Sequence, residues 1–330
     1  MSSKREAWVD YVKVFACILV VLGHFFQSMV KAKIIPQNDL YTWFNTTIYY
    51  FHVPLFFICS GYLYQKYSVV DDWKSWKQSV VKKTVALGVP YFVFSFTTWI
   101  LKSIFASSVN TEIGGLGYTL FIHPTAPYWY LYVLFLFFLV TLTIKNSGMA
   151  IFLVVVATIL KVVSILGVCD ILQIYAVSNF ASNWIWFVLG MLMSVIGIKK
   201  MNRTDLGYVL FAIFIVLSTV FYHNESGVIS FALGLMACSA VVMIANGAEN
   251  NIVAECATIY TMPIFLMHTL FAAPVRIVLL KVGVNIVWVQ VVVGIAISFI
   301  GPIVAMKVLN TVKLDWLIYP ERLLKKRKLV

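Results

Sequence analysis

The sequence predicts an all-α integral membrane protein with about ten transmembrane helices and both termini on the cytoplasmic side. Three observations lead there. Apolar residues make up 62% of the 330 positions and charged residues only 12%, with a mean hydropathy of +0.92, so no fully water-facing exterior can be assembled. The apolar residues run on without strand-like alternation, as in Ile151 to Leu160 and Tyr208 to Phe221, which is the pattern of lipid-spanning helices. The basic residues behind a net charge of +12 sit mostly in short gaps between those runs. That placement belongs to cytoplasmic loops, where Lys and Arg accumulate, and argues against a nucleic-acid face.

Candidate spans fall near 11–30, 43–64, 84–105, 128–144, 149–168, 184–198, 207–222, 228–246, 257–280 and 286–309. Several exceed the roughly 20 residues a bilayer needs, so tilts or kinks are expected. Pro90, Pro263, Pro274 and Pro302 lie within spans, where they bend helices and release carbonyls. Lys4 and Arg5, the 64–84 loop with Lys66, Lys74, Lys77, Lys82 and Lys83, the 198–207 loop with Lys199, Lys200 and Arg203, and the tail with Arg322, Lys325, Lys326, Arg327 and Lys328 all share one side. The opposite side holds Lys31, Lys33 and Lys281, with Lys102, Lys161 and Arg276 towards that end of their spans. The richer side is assigned to the cytoplasm. The 247–256 loop, with Glu249 and Glu255 and no Lys, fits this least well.

No internal repeat is visible. The expected organisation is a membrane domain over 1–310 and a short basic cytoplasmic tail over 311–330, too short to fold alone. Lys4 and Arg5 before an apolar run resemble a signal peptide, but no small-residue cleavage site follows, so a retained first span is expected. Cys17, Cys59, Cys169, Cys238 and Cys256 lie singly, without metal-type spacing, and read as small hydrophobes; no metal is expected.

Ionisable residues inside spans are costly and therefore mark candidate sites. The first span carries Asp10, Lys13 and His24. Lys13 and His24 are eleven residues apart, so on a helix they are separated by roughly 16 Å and point within about 20° of one another. Asp10 and Lys13 admit two readings: an interfacial ion pair, or an anion-binding entrance to a tunnel whose deep end holds His24 as a general base. In the second span His52 and Ser60 interrupt an aromatic run, either as packing groups or as cavity residues, and Pro54 should distort the helix. No G-x-S-x-G elbow supports a serine nucleophile. His268 lies mid-span with Arg276 two turns on, facing a cavity or reaching outward. His123 and His223 read as loop histidines, and Trp129 as an interfacial belt residue or a sugar-stacking surface.

These blocks, in order, resemble the acyltransferase 3 family of membrane acyltransferases, near its fucose 4-O-acetylase-like branch. The resemblance rests on Asp10-x-x-Lys13-x10-His24 with Val20-Val-Leu-Gly-His24, on Phe51-His-Val-Pro-Leu-Phe-Phe-Ile-Cys-Ser-Gly61-Tyr62, and on Lys82-Lys83 leading to Pro90-Tyr91. Trp129-Tyr130-Leu131, Phe187-Val-Leu-Gly190 and Phe265-Leu-Met-His268 complete it. Lys13 stands where the family commonly has Arg; it keeps the charge and loses the bidentate fork suited to phosphate.

The resemblance implies an O-acetyltransferase that moves acetyl from cytoplasmic acetyl-CoA onto a cell-surface polysaccharide or its lipid-linked precursor, in a bacterial plasma membrane. It implies His24 as catalytic residue, either the base that activates the acceptor hydroxyl or the residue that briefly carries the acyl group, with Asp10 orienting Lys13, and Lys13, Lys82 and Lys83 as contacts for CoA phosphates. His52, Ser60, Trp129, His268 and Arg276 become substrate-side residues. A transporter or flippase is the rival, since intramembrane His, Lys and Asp suit it equally; the lack of an inverted repeat counts against it.

The topology has a direct check. Cysteines introduced in the 31–42 loop should react with an impermeant thiol reagent added outside, whereas cysteines beside Lys74 should be spared; the reverse pattern would invert the orientation.

Overall fold

The computed structural model describes residues 6–105, 114–171, 173–198, 203–248 and 252–326. Lys4, Arg5, Lys199, Lys200, Glu249, Arg327 and Lys328, used above for orientation, lie outside the described residues. Among the described residues there is no strand. Eight helical runs are long and apolar enough to cross a membrane, and they coincide with eight of the expected spans. They are α1 (Ala7–Lys31), the α4–α5 run (Trp73–Ile104), α7 (Ser147–Ile165), α9 (Tyr175–Ile196), α10 (Thr204–Phe221), α11 (Gly227–Gly247), α12 (Ile252–Lys281) and α13 (Val287–Thr311). Ile151 and Phe152 of α7, Val216 and Val220 of α10, and Trp288 and Val292 of α13 are exposed on apolar faces that only lipid can cover.

The other two expected spans look different. Residues 43–64 are not one helix but α2 (Asp39–Tyr49) and α3 (His52–Tyr67). Pro54 falls in the first turn of α3, where its missing N–H costs nothing, so it starts a helix rather than kinking one. The Tyr50 carbonyl, which Pro54 cannot serve, packs against Gly234 of α11, where a Cβ would come within 2.7 Å of it. Residues 128–144 yield only α6 (Trp129–Val140), about 18 Å long at helical rise and short of a bilayer core. The extended stretch after it is held by side chains: Tyr64 donates to the Thr141 carbonyl at 2.6 Å, and Gln65 exchanges bonds with both backbone groups of Ile144. The 64–84 segment, expected as a loop, contains α4 (Trp73–Lys83), a lysine-rich helix with no buried residue that enters α5 (Val89–Ile104) through a π-helical turn at Thr84–Gly88. The short helices α8 (Val168–Ile171) and α14 (Glu321–Lys326) complete the set.

The chain forms two compact units. Unit 1 takes in the chain to Val20, Gln37–Asp72 and Thr141–Ile259; unit 2 takes in Val21–Pro36, Trp73–Val140 and Tyr260 onward. In unit 1 the start of the chain is fastened to the end of α3, where Glu6 accepts from Lys66, Tyr62 and Tyr67. Burial alone would raise the Glu6 carboxyl, but those hydrogen bonds and the lysine charge outweigh it and hold it below its usual range. Within unit 2, Trp76 donates to the Leu139 carbonyl at 2.9 Å, and Arg322 pairs with Asp315.

The tightest packing in unit 1 is the crossing of α3 and α9. A Cβ on Gly61 would lie 2.0 Å from the Phe187 carbonyl oxygen, and one on Gly190 would lie 2.0 Å from that of Ile58. Two reciprocal glycines therefore bring backbone against backbone, the route by which helices gain contact in a lipid solvent. Gly61→Ala should force the helices apart and cost about 2 kcal/mol or more. Thermal unfolding in detergent should show a clear loss for Gly61→Ala and none for Gly88→Ala, whose added methyl meets nothing within 4 Å.

Candidate active site

Unit 2 contains a cavity of about 230 Å³ walled by the last turns of α1, the end of α5 and the middle of α12. His24 opens onto it from α1, half-buried. Its ring lies 5.4 Å from that of His268, the planes inclined at 35°. His268 is 1% exposed, and its Nδ1 faces the carbonyls of Ile264 and Phe265, each at 3.0 Å. Carbonyl oxygens only accept, so Nδ1 carries the proton and, in the neutral ring, Nε2 is left with its lone pair. That Nε2 is buried without a hydrogen-bond partner among the described residues. Two imidazoles thus stand side by side, one reached from the cavity and one with a fixed tautomer behind it.

Three cations line the same cavity: Lys31, Lys102 and Arg276. Arg276 is 9% exposed and donates from Nη1 to the Ser28 carbonyl at 2.9 Å and to the Ser28 hydroxyl. Lys31 and Lys102 lie close enough to repel one another. No carboxylate lines the cavity among the described residues. Thr98 in its wall and Tyr128 behind it share a hydroxyl–hydroxyl bond of 2.8 Å, and the Tyr128 hydroxyl donates to the Leu266 carbonyl at 3.0 Å. This completely buried tyrosine pins α5 to α12 two residues from His268.

The structure therefore gathers His24, His268 and Arg276 from the sequence-derived candidates. Trp129 begins α6, half-buried, and is not part of the cavity wall. Lys83 lies 4.0 Å from the centre of the Phe138 ring, a cation–π contact, while Lys82 is exposed at the end of α4. The remaining candidates belong to unit 1. There Asp10 is buried, Lys13 is half-buried, and both interact electrostatically with Cys59 of α3. His52 is buried with Nδ1 directed at the Ile48 carbonyl at 2.6 Å, and Ser60 is half-buried in α3. α1 runs unbroken from Ala7 to Lys31, so the helical spacing read between Lys13 and His24 is realised. His123 and His223 are exposed, as loop histidines should be.

Sequence reasoning missed Lys31 and Lys102 as wall residues, along with Ser28, Thr98 and Tyr128. A signal for the lysines was present: together with Arg276 they belong to the cations on the less basic side of the membrane pattern, where charge bias does not account for them.

A family model described as an acyltransferase domain, of the acyltransferase 3 type, matches residues 6–307. The chain is also 28% identical over 144 residues to the nodulation protein NolL of Mesorhizobium japonicum (strain LMG 29417 / CECT 9101 / MAFF 303099). That alignment takes in 42% of this chain and only 35% of NolL, so the chain spans about a third of that relative. No solved structure matches it.

The Tyr128 tie is testable by itself. Tyr128→Phe leaves the Leu266 carbonyl and the Thr98 hydroxyl short of a partner and should cost about 1–3 kcal/mol in thermal unfolding. Tyr132→Phe, whose exposed hydroxyl reaches Phe121 only at 3.5 Å, should change little.

Proposed function

The chain belongs to the acyltransferase 3 family, and from that premise we propose that it is a multi-pass membrane acyltransferase that transfers acetyl from cytoplasmic acetyl-CoA to a hydroxyl of a cell-surface glycan or its lipid-linked precursor. The observation that carries this reading is the pair formed by His24, which opens onto the cavity, and His268 beside it, within otherwise apolar helices. An imidazole open to a cavity can take a proton from a hydroxyl.

In the proposed reaction His24 takes the acceptor hydroxyl proton as the oxygen attacks the thioester carbonyl. The carbon–oxygen bond forms, the carbon–sulfur bond breaks, and the proton passes to the departing CoA thiolate, giving an ester and a free thiol. His268, with its tautomer set by two carbonyls, positions the His24 ring. Lys13, near the other end of α1 with Asp10 to orient it, supplies a positive charge for CoA phosphate, and Lys82 and Lys83 are further candidates for that contact. In this reading the basic side faces the cytoplasm of a bacterial cell, so the donor enters from the Lys13 end. His52, Ser60 and Trp129 retain the substrate-side roles that the family resemblance implies.

General-base assistance contributes on the order of 10²–10⁴ in rate, so His24→Ala should abolish detectable O-acetylation of surface glycan while protein level in the membrane is unchanged. In the same assay Lys13→Ala should raise the KM for acetyl-CoA and Lys13→Arg should retain activity. A well-expressed His24→Ala protein that still acetylates contradicts the proposed chemistry.

A further inference from the structure

The charge balance of the cavity says more than the acyltransfer reading requires. Lys31, Lys102 and Arg276 converge on one space with no carboxylate in its wall among the described residues. Arg276 is buried and Lys102 half-buried, while Lys31 is exposed at the end of α1; gathering like charges around one space is unfavourable, and an anion relieves it. Arg276 commits only Nη1 to Ser28 in its described bonds. Its other N–H donors retain the planar fork that matches a carboxylate or phosphate.

The position along α1 says which substrate this is. Lys31 follows His24 by seven residues, about 10 Å of rise, whereas Lys13 precedes it by eleven, about 16 Å. The two cations thus lie on opposite sides of the histidine along one helix. In the proposed reaction the donor's phosphates are taken at the Lys13 end, which leaves the Lys31 end for the acceptor.

We infer that the cavity walled by Lys31, Lys102 and Arg276 is an acceptor subsite selective for a glycan bearing an anionic group, a carboxylate or a phosphate, near the hydroxyl to be acylated. This rests on the acyltransfer reading for the word acceptor, while the anion selectivity itself rests on the cavity alone.

The test measures binding, so it does not depend on turnover. Full-length protein in nanodiscs is titrated calorimetrically with trigalacturonate, with its neutral methyl ester, with inorganic phosphate and with acetyl-CoA. Trigalacturonate or phosphate should bind and weaken as salt is raised, with the methyl ester at least about tenfold weaker than the acid. Which anion binds better tells a sugar acid from a glycosyl phosphate. Lys102→Gln and Arg276→Gln should each weaken the anion about tenfold and leave acetyl-CoA binding unchanged. Arg276→Lys retains the charge and guards against loss of the Ser28 tie, and Lys102→Gln leaves that tie untouched. Equal binding of acid and ester, or no anion binding at all, overturns the proposal. So does a loss confined to acetyl-CoA, which would give the cavity to the donor's phosphates. Failure of the acyltransfer reading would show separately, as wild-type protein that moves no acetyl from acetyl-CoA to surface glycan, whatever the anion titrations give.

Discussion

An arginine buried in a membrane helix must find polar partners or distort the bilayer to reach water. Arg276 finds Ser28, taking both its carbonyl and its hydroxyl, and so ties α12 to the last turns of α1. His24 lies one turn before Ser28, and His268 about two turns before Arg276. The tie therefore fixes the level at which the two helices meet, and the 5.4 Å approach of the imidazoles follows from it. Tyr128 adds a second restraint from the α5 side through Thr98 and the Leu266 carbonyl. Polar bonds are the natural fasteners here, because lipid tails offer helices no hydrophobic reason to associate.

Unit 1 solves the same problem by proximity instead of charge. Gly61 and Gly190 let α3 and α9 touch through their backbones, and the chain break before α3 places the Tyr50 carbonyl against Gly234. Neither arrangement tolerates an added methyl without movement. The extended residues beyond α6 show the complementary requirement, that non-helical backbone be satisfied by protein: Tyr64 serves the Thr141 carbonyl, Gln65 serves Ile144, and the Thr143 N–H donates to the Val70 carbonyl.

Most of the fold was legible in the sequence because the period and length of apolar runs report directly on lipid exposure. α1, α7 and α9–α13 were visible in this way. The misread elements share a cause. A run of aromatic and aliphatic residues such as 43–64 does not reveal whether its proline starts a helix or bends one; that depends on where the released carbonyl goes, and Gly234 is far away in sequence. The lysine-rich Trp73–Lys83 segment looked like a loop because its charge masked a helical stretch that buries nothing. In the site, His24, His268 and Arg276 were recognisable individually as costly residues in spans. Their convergence was not, since sequence spacing speaks only within one helix. Lys31 and Lys102 were assigned to membrane orientation, the use that loop lysines ordinarily have, and only the shared cavity gives them another.

The central claim is that acyl transfer takes place at His24. A cryo-electron microscopy structure of the protein with a non-transferable acetyl-CoA analogue, its thioester sulfur replaced by methylene, tests this most directly. The account predicts the analogue's carbonyl carbon within about 6 Å of the His24 imidazole, the separation at which a hydroxyl can be held between them. An analogue bound with its carbonyl remote from His24 would contradict it.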